Sequence, residues 1–220
     1  MPIRPRTKAD KQARLDQILA VLDKVYPNVT CALHHTNPWQ LLVATILSAQ
    51  CTDERVNMVT PPLFAKYPRI EDFAAATPEA LGKDVYSTGF YNNKAKNIIA
   101  AAQRVLNVFG GQIPTNMEDL LTIPGAARKT ANVVLGTAFN ISSGVVVDTH
   151  VSRISQRLDL TRREDPVNIE KDLVKILPQS RWILFSHQLI HHGRGHCTAR
   201  NPKCFDCPMY SLCYAKDKNA

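Results

Sequence analysis

Apolar residues recur at intervals of three and four along almost the whole chain, the spacing of one face of an α-helix. The clearest stripe lies between Asn92 and Phe109 and consists of Ala95, Ile98, Ile99, Ala102, Val105, Leu106 and Phe109. Few stretches alternate apolar with polar residues, and only 144–147 is strand-like, which we expect to be extended chain. With roughly ten helices and short connections, the pattern predicts an all-α fold.

Capping residues mark where the helices begin and end. Four pairs combine a capping side chain with a proline suited to a first turn, and each predicts a helix start: Asn37-Pro38, Thr60-Pro61, Thr77-Pro78 and Asp165-Pro166. Thr115 and Glu118 predict a capping box, and Asp148 predicts one further cap. We expect the last long helix over 180–192, with Gly193 as its end.

Composition and charge narrow the class of protein. The 220 residues are 45% hydrophobic, which excludes a disordered chain, and no apolar run approaches a membrane span. Lys and Arg number 27 against 19 Asp and Glu, a net charge of +8, which fits a polyanionic partner and equally a surplus kept for solubility. The segment 1–14 lacks an apolar stretch, so we expect a solvated basic arm on a cytosolic protein.

Four of the six cysteines lie near the C-terminal end with the spacing C-x6-C-x2-C-x5-C: Cys197, Cys204, Cys207 and Cys213. Disulfides are disfavoured in a cytosolic chain with a good core, whereas four thiolates suit either zinc or a [4Fe–4S] cluster. The spacing alone leaves these two open. Arg200 and Lys203, between the first two cysteines, could bind phosphates or simply keep the loop solvated.

The segment 120–135, LLTIPGAARKTANVVL, has the layout of a helix-hairpin-helix. A turn with little side-chain bulk at Gly125 lets backbone N–H groups approach a DNA phosphate at the start of the next helix. Lys129 lies beside Arg128 in that first turn, where the helix dipole and the neighbouring cation disfavour further positive charge. A neutral amine is what a nucleophilic lysine needs. Asp148 could likewise stabilise a developing positive charge.

These motifs occur together in a known order. The run SAQCTD at 48–53, the hairpin, VDTHVSR at 147–153 and the cysteine tail resemble the endonuclease III family, bacterial DNA glycosylase/AP lyases of the helix-hairpin-helix superfamily. The resemblance implies a two-lobed fold with a six-helix domain over 31–141 and a cluster domain from 1–30 and 142–220. It also implies that the four tail cysteines bind a [4Fe–4S] cluster.

The resemblance assigns roles to individual residues. Lys129 matches the lysine that attacks C1′ and forms a Schiff base, and Asp148 matches the catalytic aspartate. Gln50 matches the residue that fills the gap left by the extruded nucleotide, and Phe90 matches the intercalating wedge. Further DNA contacts are expected from six residues: Gly125, Ala127, Arg128, His150, Arg200 and Lys203. The family usually has a second glycine where this chain has Ala127. If this position needs a positive φ, alanine is strained there and phosphate binding is weakened.

The implied activity is base excision repair. Such an enzyme removes oxidised pyrimidines of the thymine glycol type and nicks the strand 3′ to the abasic site by β-elimination. Its partner is double-stranded DNA with damaged bases or abasic sites. We expect a monomer with no membrane association, in the bacterial cytoplasm at the nucleoid.

Three other functions would use part of this pattern. A monofunctional adenine or mismatch-thymine glycosylase keeps the aspartate but lacks the lysine, so Lys129 argues against it. A non-enzymatic DNA-binding protein needs neither Lys129 nor Asp148. An iron–sulfur electron carrier needs no hairpin. The combination of hairpin, lysine, aspartate and cysteines therefore favours the glycosylase/lyase.

Overall fold

The structure, a computed structural model, describes residues 4–219. The first three residues of the predicted basic arm therefore lie outside the described part. The chain divides into two compact units, Cys31–Ser143 and the two ends Met1–Thr30 with Gly144–Ala220. The described residues form helices, turns and irregular chain without a β-strand, which confirms the predicted all-α class.

Eleven α-helices occur between residues 4 and 219. In chain order they are α1 (Lys8–Val25), α2 (Pro38–Leu47), α3 (Asp53–Lys66), α4 (Ile70–Ala74), α5 (Pro78–Asp84), α6 (Tyr91–Phe109), α7 (Met117–Leu121), α8 (Arg128–Phe139), α9 (Thr149–Arg157), α10 (Pro166–Ile176) and α11 (Trp182–Gly195). Short 3-10 turns cover Tyr86–Thr88, Gln179–Arg181 and Tyr210–Leu212.

The unit Cys31–Ser143 is built around α2 and α6. Nearly every side chain of α2 is buried, while α6 buries most of the apolar stripe read from the sequence, with Leu106 and Phe109 half-buried at its end. This burial is the main source of free energy for the fold of the unit. Within the described chain the unit has seven helices, one more than the expected six, and two of them are only five residues long.

The other unit packs α1, α9, α10 and α11 around a second core. Ile18, Ile154 and Phe185 are among its fully buried side chains. The expectation of a solvated arm up to residue 14 is wrong, because α1 begins at Lys8 and the Arg14 guanidinium donates to the carbonyls of Leu158 and Leu212 at 2.5 Å each.

Most of the predicted helix starts are confirmed. The side chains of Asn37, Thr77, Asp148 and Asp165 each accept a hydrogen bond from a backbone N–H of the helix that follows. The predicted box at Thr115 is wrong by one position, because Asn116 caps α7 through the Asp119 N–H at 2.9 Å. Either residue type can cap a helix, so the residue type alone does not distinguish the two positions.

Two other predicted boundaries are wrong. Pro61 and Pro62 lie inside α3, where both are exposed while Val56 and Leu63 are buried on the other side. Packing of that buried face holds the helix together despite the lost N–H groups. Gly193 does not end α11, which continues to Gly195.

Candidate active site and metal centre

The hairpin turn requires glycine at position 125. Gly125 has φ of 81°, and a Cβ there would lie 3.2 Å from Cδ1 of Ile46 and 3.2 Å from Cβ of Asn97. Any other residue would be strained by the backbone angle and crowded by the neighbouring helices. The turn is therefore fixed by packing against α2 and α6.

Ala127 occupies the cap position of α8 and makes no side-chain capping bond. Its φ is −73°, so the premise that this position needs a positive φ is wrong, and alanine brings no strain. Alanine is also a poor cap, because its side chain cannot accept a hydrogen bond from the N–H groups of the first turn of α8. Such a helix start can bind an anion.

Lys129 lies in the first turn of α8, on the unit Cys31–Ser143, and its side chain is exposed. Arg128, directly before it, is also exposed. The amine therefore stands at the surface, immediately after the glycine turn. An exposed amine at a helix start that can bind a phosphate is in a suitable place to meet DNA.

Asp148 lies on the other unit and is half-buried at the start of α9. Its Oδ1 accepts from the N–H groups of His150 and Val151, at 2.8 Å each. Within residues 4–219 its second oxygen accepts no hydrogen bond. One oxygen thus holds the carboxylate in place, and the other remains open to a positive charge.

His150 is held inside this unit. Arg153 Nη2 lies 3.0 Å from His150 Nδ1, and a Cβ on Gly193 would lie only 2.6 Å from the same nitrogen. Burial lowers the pKa of His150, and the nearby Arg153 and Arg194 lower it further against the opposing effect of Asp148. Gly193 must be small because the His150 ring packs on it, and α11 continues past this residue to Gly195.

Gln50 and Phe90 share a backbone feature that the sequence did not reveal. Gln50 has φ of 54° and Phe90 has φ of 49°, both left-handed, and both side chains are exposed. Phe90 is 64% exposed although its side chain is large and apolar. Left-handed conformations in residues other than glycine are uncommon and concentrate at functional sites. Both loops therefore present a side chain outward from a constrained backbone.

Lys94 was missed by the sequence analysis. It is 5% exposed, and its Nζ donates to the Leu47 carbonyl at 2.8 Å and to the Thr88 carbonyl at 2.7 Å. Burial lowers its pKa. Leu47 precedes the loop of Gln50 and Thr88 precedes Phe90, so one ammonium connects both loops. The available signal was a lysine four positions before Ile98, on the apolar face of α6.

The four tail cysteines line one cavity, together with Arg157 and Tyr210 among others. All four are free thiols of intermediate burial. No three His, Cys, Asp or Glu side chains within residues 4–219 meet where a single metal ion would bind. Four thiols around a cavity are instead the donor set and arrangement that a multi-atom iron–sulfur cluster needs.

The surroundings of these cysteines also fit a cluster. Burial raises the pKa of the Cys207 thiol to about 11, and the neighbouring thiols add to the shift. Bound metal supplies the positive charge that such buried thiolates require. Arg157 Nη1 donates to Cys197 Sγ at 3.2 Å, and the Ala215 N–H lies 3.5 Å from Cys213 Sγ. Hydrogen bonds to ligand sulfurs are typical of cluster sites.

The loop between the first two cysteines is held by Thr198. Its hydroxyl donates to the carbonyl of Arg200 at 2.7 Å and lies 3.2 Å from that of Asn201. Arg200 and Lys203 are both exposed on this loop. The loop therefore presents two cations from a constrained backbone.

Comparison with known proteins identifies the family. Residues 43–179 match the HhH-GPD superfamily of base excision DNA repair proteins, and residues 197–213 match the iron–sulfur binding domain of endonuclease III. Endonuclease III of Synechocystis sp. is 53% identical over 94% of this chain and 95% of its own length. The chain belongs to the endonuclease III family.

Solved structures of endonuclease III agree with this assignment. A non-covalent endonuclease III–DNA complex has a TM-score of 0.88 and 42% identity, covering 92% of this chain and 95% of the other. A trapped endonuclease III–DNA covalent intermediate has a TM-score of 0.88 and 41% identity, with the same coverage. This endonuclease III family member is a base excision repair enzyme, a DNA glycosylase and AP lyase that binds DNA and carries a [4Fe–4S] cluster.

The helices of residues 4–219 all fall short of the length and apolar character that a bilayer-spanning segment requires.

Proposed function

We propose that Lys129 is the nucleophile of both reactions. Its amine attacks C1′ of the damaged nucleotide, so that a C–N bond forms as the glycosidic bond breaks and the base departs with a proton. The sugar ring then opens: the C1′–O4′ bond breaks and O4′ takes up a proton, which converts the C1′ amine adduct into a Schiff base. The Schiff base makes C2′ acidic, the C2′ proton is lost, and the 3′ phosphate leaves by β-elimination. The observation that carries this proposal is an exposed lysine in the first turn of α8, directly after the glycine turn.

In this proposal Asp148 stabilises the positive charge that develops on the sugar as the base leaves. A carboxylate with one oxygen fixed by two N–H groups needs no reorganisation when that charge appears. His150 supports the same turn, because its backbone N–H is one of those two donors and its ring packs on Gly193.

We assign binding of the DNA backbone to two elements. In the hairpin, Gly125 and Ala127 shape the approach to the N–H groups of α8, and Arg128 adds a cation. In the cluster loop, Arg200 and Lys203 add two more. When bound, the [4Fe–4S] cluster supplies the structural link that holds this loop, through Cys197, Cys204, Cys207 and Cys213.

Gln50 and Phe90 replace the flipped nucleotide in the duplex. Extruding a base costs a few kcal/mol of stacking and pairing, which an inserted side chain offsets. The left-handed backbone of both residues and their exposure support this role, and Lys94 acts as a positioning residue for both loops. Phe90 offers an aromatic face that can stack on the unpaired base.

The substrates that we propose are oxidised pyrimidines of the thymine glycol type and abasic sites in double-stranded DNA. We also propose a monomer that acts in the bacterial cytoplasm at the nucleoid. The support is the whole-length similarity to bacterial endonuclease III and the chemistry assigned to Lys129.

Single-turnover cleavage distinguishes this activity from its alternatives. Duplexes carrying one thymine glycol, one abasic site, one adenine opposite 8-oxoguanine or no lesion are incubated with excess enzyme, with and without alkali afterwards. The proposal predicts nicking of the first two without alkali and no product from the last two. Nicking only after alkali indicates a monofunctional glycosylase, and binding without any product indicates a DNA-binding protein.

A further inference from the structure

A row of three hydrogen-bonded side chains, two of them buried, ends at a cluster ligand. The Tyr26 hydroxyl lies 3.1 Å from His196 Nδ1 and 2.9 Å from His192 Nδ1. The other ring nitrogen of His192, Nε2, lies 3.6 Å from Cys207 Sγ. His192 is 1% exposed and Tyr26 is 6% exposed, so water does not compete for the bond between them, while His196 is half-buried. All four residues belong to the unit formed by the chain ends.

The thiolate state of Cys207 fixes which atoms donate along the hydrogen bonds of this row. Cys207 binds iron as a thiolate and therefore cannot donate, so the proton between it and His192 must be on Nε2. His192 is 1% exposed, and a neutral imidazole carries only one proton, here on Nε2. Its Nδ1 is then an acceptor, and the Tyr26 hydroxyl donates to it.

The same reasoning gives the direction of the hydrogen bond between Tyr26 and His196. Because the Tyr26 proton points to His192, the tyrosine oxygen is left to accept from His196 Nδ1–H. The row then runs from His196 through Tyr26 and His192 to Cys207, with every donor directed toward the ligand sulfur. Aligned hydrogen bonds polarise one another, so the last bond is stronger than an isolated one.

We propose that this row, His196–Tyr26–His192, sets the reduction potential of the cluster by donating a hydrogen bond to Cys207. Adding an electron to the cluster increases the negative charge on its sulfurs, and an N–H directed at a ligand sulfur stabilises that charge. The row therefore raises the potential of the one-electron couple. It rests on the presence of the [4Fe–4S] cluster and is independent of the roles proposed for Lys129 and Asp148.

The test is the midpoint potential of the cluster, measured on an electrode that supplies the electron. His192→Phe removes the donor to sulfur, and we expect the equilibrium constant for reduction to fall about tenfold, about 59 mV for one electron. Tyr26→Phe leaves that donor but removes the bond that orients it, so its shift should be smaller and of the same sign. Iron and sulfide contents establish that each variant carries a full cluster.

Tyr210→Phe is the matched control, because Tyr210 lines the same cavity but belongs to no such row within residues 4–219; its potential should equal that of the wild type. Nitrogen-15 NMR of histidine-labelled wild-type protein should find the His192 proton on Nε2, a result that does not depend on any variant folding. Unchanged potentials in fully loaded Tyr26→Phe and His192→Phe, or a His192 proton on Nδ1, would overturn the proposal.

Discussion

The hairpin and the cysteine tail both present cations and backbone to DNA in our proposal, yet they are held in different ways. Gly125 is exposed but lies close to Ile46 and Asn97. The residues on either side of the turn, Ile123 and Ala126, are buried in the apolar core, which gives the turn its shape. The tail over 197–213 has one regular element, the 3-10 turn Tyr210–Leu212. Its four cysteines are half-buried and line one cavity.

This difference shows what stabilises the conformation of the hairpin turn and of the cysteine tail. A turn packed on a core keeps its shape without any cofactor, because burial of apolar surface stabilises it. The tail contributes one fully buried apolar side chain, Met209, to the second core, so we expect bound metal to supply much of its folding free energy. The two DNA-binding elements should therefore fail separately and under different conditions.

Cys204→Ser should have the largest effect, because it should disrupt the cysteine tail and leave the hairpin intact. Losing one of four thiolates should remove the cluster, seen as loss of the broad absorbance near the violet end of the spectrum, and should disorder the tail. The hairpin unit should keep its helices, seen as a far-UV circular dichroism spectrum close to that of the wild type. Cys31→Ser, a cysteine on the other unit, is the control. A variant that unfolds throughout would contradict the independence of the two elements.

Lys94→Met should have the next largest effect. Two carbonyls, those of Leu47 and Thr88, lose a buried donor, so unfolding free energy should fall by about 1–3 kcal/mol. Base removal should slow more than nicking of a preformed abasic site, because both loops that replace the flipped base lose their support. Lys96→Met, an exposed lysine on the same helix, should change neither rate. Equal slowing of both reactions would indicate a purely structural role for Lys94.

Gly125→Ala and Ala127→Gly together test which position of the hairpin requires glycine. The first adds a Cβ at a positive φ and should cost about 1–2 kcal/mol in urea unfolding, with weaker DNA binding. The second changes a residue at φ of −73° and should alter stability by only a few tenths of a kcal/mol. A large gain in DNA affinity from Ala127→Gly would show that alanine does limit phosphate binding.

Phe90→Leu should have the smallest effect. It keeps an apolar side chain but removes the aromatic face, and stacking on a base contributes about 1–3 kcal/mol when the whole side chain is removed. We expect base removal to slow by less than about tenfold in Phe90→Leu and by more in Phe90→Ala, measured by single-turnover kinetics. Identical rates for both variants and the wild type would remove Phe90 from the proposal.

Much of this fold could be predicted from local sequence. Caps at Asn37, Thr77, Asp148 and Asp165 were found because a capping side chain acts within three residues of itself. Pro61 was misjudged because the buried face of α3, which outweighs the two prolines, depends on packing partners distant in sequence.

The site was predictable only where chemistry is local. The hairpin, Lys129 and the cysteines stand in short motifs, whereas Lys94 bridges carbonyls 47 and 6 positions away along the chain. The left-handed backbones of Gln50 and Phe90 are likewise set by the surrounding loops and not by residue type. The row from His196 to Cys207 joins α11 to Tyr26, 166 and 170 positions away from its two histidine partners, and no sequence pattern marks it.

The central claim is that Lys129 forms a Schiff base with DNA, and borohydride trapping tests it most directly. Enzyme is mixed with a duplex carrying one thymine glycol or one abasic site, reduced, digested and analysed by mass spectrometry. We predict a covalent adduct on both duplexes, attached at Lys129, absent in Lys129→Gln and retained in Lys83→Gln, another exposed lysine of the same unit. An adduct that persists in Lys129→Gln, or none in the wild type, would contradict the account.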